Sequence, residues 1–259
     1  MNRSFRIVVA VIALTLAFAA HAGRSCEEHA PDAVNVERAM TLAEHTARRL
    51  DDSGAQVVVI ARVGQNLAKY GQHYSHLGFA YRDGAVWRIA HKLNQCGSPR
   101  AAVYRQGLGE FFLDDMFEYE AGIVVLAPEV QAKLLPALRD NVRLAQLNTA
   151  AYSVVAYPWA QTYQQSNQWA IETLAMTQDA AASTRERAQA WLQLQGYEPA
   201  VLHLSAFERL GARLTAANIA FDDHPNAKRF SDHIETVTVD SVFAWLQRSG
   251  LGGAPFVVG

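Results

Sequence analysis

The stretch Tyr74-Ser75-His76-Leu77-Gly78-Phe79-Ala80-Tyr81-Arg82-Asp83-Gly84-Ala85-Val86-Trp87-Arg88-Ile89-Ala90-His91 decides the fold. Two strand-like runs, His76 to Arg82 and Ala85 to His91, flank Asp83-Gly84, a strong two-residue hairpin signal. A turn centred on Asp83-Gly84 pairs Arg82 with Ala85 and sets Tyr81 against Val86, Phe79 against Arg88 and His76 against His91. Directly opposed residues project from one face of a sheet, so the hairpin is expected to set two imidazoles side by side.

Outward from the hairpin the pattern mixes helix and strand. Gln56 to Ala61, Gly122 to Leu126, Tyr152 to Ala156 and Ile234 to Val239 read as strands from their β-branched runs or alternation. Helical spacing runs from Ala33 to Leu50, from Pro128 to Arg139 with proline in the first turn, and from Ser166 to Met176. Ser183-Thr-Arg-Glu186 and Ser205-Ala-Phe-Glu208 are capping-box patterns, opening helices through about Gln195 and Leu214. Asp240 is expected to cap a last helix through Arg248, and the glycine-rich tail from Gly250 to Gly259 to be mobile.

Composition bounds the function class. The chain has 259 residues, 50% hydrophobic and 19% charged, with a formal net charge of −2. That is globular rather than disordered, and too weakly basic for a broad nucleic-acid footprint. Met1 to Arg6 carries two positive charges, Ile7 to Ala20 is apolar, and Ala20-His21-Ala22 has the form of a signal-peptidase site. Residues 1–22 therefore read as a secretory signal, and the protein as periplasmic or secreted, with no stable membrane insertion after cleavage. Removing the signal takes away Arg3 and Arg6 and leaves 21 Lys+Arg against 25 Asp+Glu, a net charge of −4. In an oxidising compartment the only two cysteines, Cys26 and Cys96, are expected to form a disulfide. On the chain-entropy estimate, closing that loop stabilises by about 4.4 kcal/mol.

Three constellations could carry chemistry. His76 and His91 could serve a nucleophile at the helix start Gln165-Ser166-Asn167-Gln168-Trp169, where free amides and a partial positive charge favour an oxyanion. The bland alternative makes Ser166 an N-cap and the histidines packing residues. Asp222-Asp223-His224 with Asp232-His233 has metal-ligating residue types but no metal-ligand spacing, so it reads as a polar turn and no metal or cofactor is expected. Tyr152, Tyr157, Trp159, Tyr163 and Trp169 are clustered aromatics of the kind that build a core or line a sugar or peptide groove.

Tyr74-Ser75-His76-Leu77-Gly78-Phe79 resembles the Ser-His-(apolar)-Gly-(apolar) segment of circularly permuted papain-like proteins, the relatives of the NlpC cell-wall peptidases and the lecithin:retinol acyltransferase group. In that family the histidine comes first, a second polar residue follows on the next strand, and a cysteine opens a helix in a pattern like Asn-Cys-Ser-Gln-Phe-Val-x-Glu-x-Leu. Here Gln165-Ser-Asn-Gln-Trp-Ala-Ile-Glu-Thr-Leu174 matches at Gln168, Trp169, Glu172 and Leu174. The resemblance implies an α+β fold, with a permuted papain-like core over residues 23–182 and a mainly helical C-terminal extension over 183–259. It implies Ser166 as nucleophile in place of cysteine, His76 as base and His91 as orienting residue. Tyr157, Trp159, Tyr163, Gln165 and Trp169 would line the substrate groove. The expected activity is exported hydrolysis of amide or ester bonds in cell-wall peptide or acyl substrates; the alternative is an inactive binding module on the same fold. A slip of one residue places Asn167 in the nucleophile slot, which would be inert. The Tyr152–Trp169 segment also resembles that of a group of uncharacterised secreted bacterial proteins.

Overall fold

The computed structural model describes residues 32–114 and 116–259. Residues 1–22, expected to be a secretory signal, and Cys26 lie outside the described residues, and with them the expected Cys26–Cys96 pairing. Cys96 itself stands exposed in the turn after β3.

The fold is α+β. Its centre is an antiparallel sheet in the order β4-β3-β2-β1-β5-β8, built from β1 (Val57–Val63), β2 (His76–Asp83), β3 (Val86–Asn94), β4 (Ala101–Gly107), β5 (Glu118–Val125) and β8 (Phe256–Val258). β1 is buried along its whole length, in the middle of the sheet, with the β-branched run Val57 to Ile60 at its start and Arg62 as its one charged residue. Alternate residues feed two cores. Val58, Ile60, Ala80 and Ile89 meet α1 (Ala33–Asp52) and α2 (Leu108–Phe112) through Leu42, Leu50, Phe111 and Phe112. Val57, Val59, Leu77 and Phe79 meet α3 (Pro128–Arg139), α5 (Ser166–Gln178) and α9 (Val239–Arg248) through Leu134, Trp169 and Trp245. The sheet is thus sandwiched between helices. α4 (Asn141–Ala145) and α6 (Arg185–Leu194) flank the second layer. A smaller lobe holds β6 (Ala200–His203), α7 (Ala206–Thr215), α8 (Asn226–Arg229) and β7 (His233–Thr236), with β6 and β7 paired antiparallel.

Several expectations are corrected. Tyr152 to Ala156 is not a strand. Its amides turn to scattered partners, Tyr152 to Pro99 and Val154 to Asn218, while the Ser153 hydroxyl donates to the Ala220 carbonyl at 3.0 Å. Thr184, not Ser183, caps α6, and Thr238, not Asp240, caps α9; the Asp240 carboxylate instead accepts from the amide of His73. The tail is anchored: Ala121, Gly122 and Ile123 of β5 pair with Val258, Val257 and Phe256. Gly252 serves close approach there, since a Cβ on it would stand 2.6 Å from a methyl of Val124.

Candidate functional site

The hairpin carries the two histidines, but with its turn displaced by one residue. Asp83 pairs with Val86 and Tyr81 with Arg88, so the central residues are Gly84-Ala85. Gly84 has φ +62° and Ala85 does not adopt a positive φ, the arrangement of a II′ turn with glycine first. Every partner therefore moves by two positions. A shift of two keeps each side chain on its face, so His76 and His91 still meet, diagonally instead of directly. His76 Nε2 lies 2.9 Å from His91 Nδ1, with one proton between them. Gly78 leaves the room for this: a Cβ there would fall 2.9 Å from the His91 Cβ and from the Ala90 carbonyl oxygen.

The pair sits on the α1/α2 side of the sheet. Arg62, opposite His76 on β1, lies over the Phe111 ring at 4.7 Å and bonds the Phe111 carbonyl and the Asp114 carboxylate. The His91 ring is 5.3 Å from Phe111. Burial is the main cause that pushes the His91 pKa down to about 3, with the Arg62 charge adding to it and Gln106 and Asp114 opposing. Burial, Arg62 and His91 likewise hold His76 well below its usual value. Both rings are neutral at pH 7. His91 Nε2 is buried without a hydrogen-bond partner of normal geometry.

The helix that opens at Ser166 packs on the other side of the sheet. Gln165, rather than Ser166, is its N-cap: its side-chain oxygen accepts from the Asn167 amide at 2.8 Å, and the Gln168 side chain reaches back to the Gln165 amide. The Gln165 side-chain nitrogen Nε2 donates to the Val237 carbonyl at 2.8 Å and the Thr236 hydroxyl at 3.1 Å. Ser166 is the first helical residue, 6% exposed, and its hydroxyl interacts with the phenol of Tyr152. Among the described residues no hydrogen bond joins Ser166 to His76 or His91. Asn167 makes the contact with the histidine strand: its oxygen accepts from the Leu77 amide at 3.2 Å, and its nitrogen donates to the Val237 carbonyl at 3.2 Å. The β2–β3 register runs only as far as Phe79 and Ala90 at this end, so Asn167 supplies the acceptor that β3 does not.

Beneath the helix start lies a polar network that sequence reading missed. Lys92 donates to the Thr149 carbonyl at 2.6 Å and to Gln164 at 2.7 Å. Gln164 donates to Glu172, which also receives Arg185 at 2.8 Å and Gln189 at 2.7 Å. Arg185 further holds the carbonyls of Gln161 and Tyr163 at 3.0 Å each. Burial lowers the Lys92 pKa to about 7, helped by Arg185 and opposed by Glu172. This network clamps the irregular segment before Ser166. Its only sequence signal was Glu172, which matches the helix pattern of the papain-like proteins that this segment resembles; a buried lysine on a strand carries none.

The candidate groove residues part company. Trp169 is fully buried against Phe79, and Gln165 is a buried cap. Tyr157, Trp159 and Tyr163 are half-buried on the clamped segment. Tyr163 donates to Asp222 at 3.2 Å, and Tyr157 packs 5.2 Å from His224. The acidic-histidine turn is satisfied from within: His224 bridges Asp223 and the Glu235 carbonyl, and Asp232 pairs with Arg209. The residues best placed to hold a cation are elsewhere, at His73, Glu118 and Glu120, whose ligand atoms lie within 4.8 Å of one another on the surface, His73 and Glu120 being paired at 2.8 Å. No helix among the described residues is long and apolar enough to cross a membrane.

Residues 49–246 match a family described as uncharacterized protein conserved in bacteria (DUF2145). The match spans most of the chain, and the chain belongs to that family. No curated protein and no solved structure matches it.

Proposed function

We propose that this family member is an exported, catalytically inactive binding module on a permuted papain-like scaffold. The chain order supports the scaffold: a histidine strand, a second histidine strand, then the helix opening at Ser166 and packing on both. The observation that carries the inactive reading is the position of Asn167. It meets the histidine strand from the helix start, while Ser166 is buried beside Tyr152 and the imidazole pair projects from the opposite sheet face. A general base must come within hydrogen-bond reach of the proton that it removes.

The ligand class in this reading is cell-wall peptide. Tyr157, Trp159 and Tyr163 offer half-buried rings on a segment that the Lys92–Glu172–Arg185 network holds rigid, which lowers the ordering cost of binding. The segment Met1–Ala22 supports export, and the compartment would join Cys26 to Cys96. Titration of residues 23–259 with purified muropeptides, read by tryptophan fluorescence, should show saturable binding that Tyr157→Ala and Tyr163→Ala each weaken about tenfold.

Hydrolysis is the second reading. One observation favours it: Ser166 opens a 13-residue helix, whose N-terminal partial positive charge favours a developing oxyanion. A serine-reactive phosphonate decides between the two. Labelling at Ser166, with turnover lost in Ser166→Ala and kept in Ser166→Cys, establishes a hydrolase. An unlabelled Ser166 with retained muropeptide binding establishes the module.

A further inference from the structure

Glu118 and Glu120 stand on β5 where that strand bulges against β1. Val63 of β1 pairs with Glu118, and Arg62 beside it pairs with Ala121, so Tyr119 and Glu120 have no counterpart on β1. A bulge re-aims the side chains that it carries. Here both glutamates meet His73, on the connection before β2, with their ligand atoms within 4.8 Å of one another. His73 and Glu120 are 47 residues apart in the chain, so no ligand spacing marks this group in the sequence.

The group is held from behind. Glu120 Oε1 lies 2.8 Å from His73 Nε2 and accepts from the Tyr74 hydroxyl at 3.0 Å. Gly122 lets the Tyr74 ring reach it, since a Cβ there would stand 2.5 Å from the ring carbon that bears the hydroxyl. Burial, with the Glu120 and Asp240 carboxylates, pushes the Tyr74 phenol pKa up and keeps it a neutral donor. Asp240, in the first turn of α9, accepts from the His73 amide at 3.1 Å and fixes the backbone that carries the imidazole.

The charge is one-sided. Among the described residues no lysine or arginine bonds or pairs with Glu118, Glu120 or Asp240, and the Glu118 carboxylate has no partner at all. Oxygen and nitrogen ligands on one zinc ion sit roughly 2.0–2.2 Å from it, hence at most about 4 Å from one another. Rotation of the exposed Glu118 side chain closes the difference. An imidazole nitrogen beside two carboxylates suits zinc better than calcium or magnesium, which take oxygen ligands. Three protein ligands leave the fourth tetrahedral position to water.

We propose that His73, Glu118 and Glu120 bind a zinc ion that ties the β1–β2 connection to the β5 bulge, with Tyr74 and Asp240 as positioning residues.

The test is calorimetric titration of zinc chloride into chelator-treated residues 23–259, which keep every described residue. One ion per chain should bind in the micromolar range. Glu118→Ala removes a side chain that bonds nothing else, and it and His73→Ala should each weaken binding at least about tenfold. Tyr74→Phe keeps the ring and loses the hydroxyl; zinc affinity should fall several-fold. His203 and His233, whose rings lie 4.9 Å apart across β6 and β7, are another exposed histidine pair, and His203→Ala/His233→Ala should bind as wild type does. Zinc should raise the melting temperature of wild type and of that double variant, and not that of Glu118→Ala. A wild type that takes up no zinc at about 0.1 mM overturns the proposal. So do Glu118→Ala and His73→Ala variants that both bind as wild type does, and so does a loss of binding in His203→Ala/His233→Ala, which would place the ion on the smaller lobe.

Discussion

The side-chain oxygen of Asn167 accepts a hydrogen bond from the amide of Leu77 at 3.2 Å, across the point where β2 parts from β3. One side chain at a helix start thus completes the backbone bonding of an interior strand, and its nitrogen does the same for the Val237 carbonyl before α9. Asn167 joins three elements that are far apart in sequence.

Asn167→Ala should therefore destabilise by about 1–3 kcal/mol, because it leaves the buried Leu77 amide unpaired and takes one of two donors from the Val237 carbonyl. Asn167→Asp keeps the acceptor and loses the donor, and should fall between. Urea unfolding midpoints at constant m-value measure both.

The buried pair of Glu172 and Arg185 should be intolerant of single changes. Glu172→Ala leaves the Arg185 guanidinium, whose side chain is 8% exposed, without its counter-charge, and should cost about 3–5 kcal/mol. Thermal unfolding should show that loss in Glu172→Ala and a smaller one in Gln189→Ala, which removes one neutral donor.

Lys92 should make stability rise with pH. Its folded pKa is lowered to about 7 from 10.5, so between those values the unfolded chain binds the extra proton and unfolding is favoured by lower pH. Stability should climb from pH 7 toward pH 9, with a slope of at most about 1.4 kcal/mol per unit from this residue. Lys92→Met should flatten that climb in urea titrations. If wild type and variant have parallel profiles, Lys92 keeps its proton in the fold.

The histidine pair should act in the acid range. Both folded pKa values are lowered from 6.5, so the stability these groups contribute is full above 6.5 and is lost as pH falls below it. Each can take away up to about 1.4 kcal/mol per unit. His91→Phe should unfold less steeply than wild type between pH 6.5 and pH 4.5, as read by circular dichroism. Nitrogen-15 shifts should show both imidazoles neutral at pH 6.

Gly78→Ala should separate the strands, since the added carbon would stand 2.9 Å from the Ala90 carbonyl oxygen and from the His91 Cβ, neither of them free to swing away. About 1–3 kcal/mol is expected. Gly84→Ala meets no atom within 4 Å but must adopt φ +62°; it should cost about 1–2 kcal/mol, through backbone strain alone. Melting temperatures and the packing of the His76–His91 pair by NMR separate the two mechanisms.

The α+β class and the element types near the hairpin were legible because β-branched runs and helical spacing report burial directly. The pairing of His76 with His91 survived a wrong register, because an error of two residues preserves the face. The turn itself was misread since Asp-Gly serves equally as the centre of a turn or as its entry. Tyr152 to Ala156 has strand composition, but its amides bond the carbonyls of Pro99, Asn218 and Ser153 instead of forming a ladder. The sheet face of the helix at Ser166 was not legible at all. It follows from which of Leu77 and His76 the helix covers, a choice made by packing at a distance. The same holds for Lys92, whose partners lie on loops more than fifty residues away.

The pairing of β5 with β8 also sets an order of events. Ala121 waits for Val258, so the edge of β5 stays open until a segment more than a hundred residues further along arrives. Closing so long a loop is slow compared with zipping β1, β2 and β3. An open, apolar edge is a template for other chains. Folding of this protein should therefore pass through a species that self-associates at high concentration, and renaturation yield should fall with protein concentration until the last strand has docked.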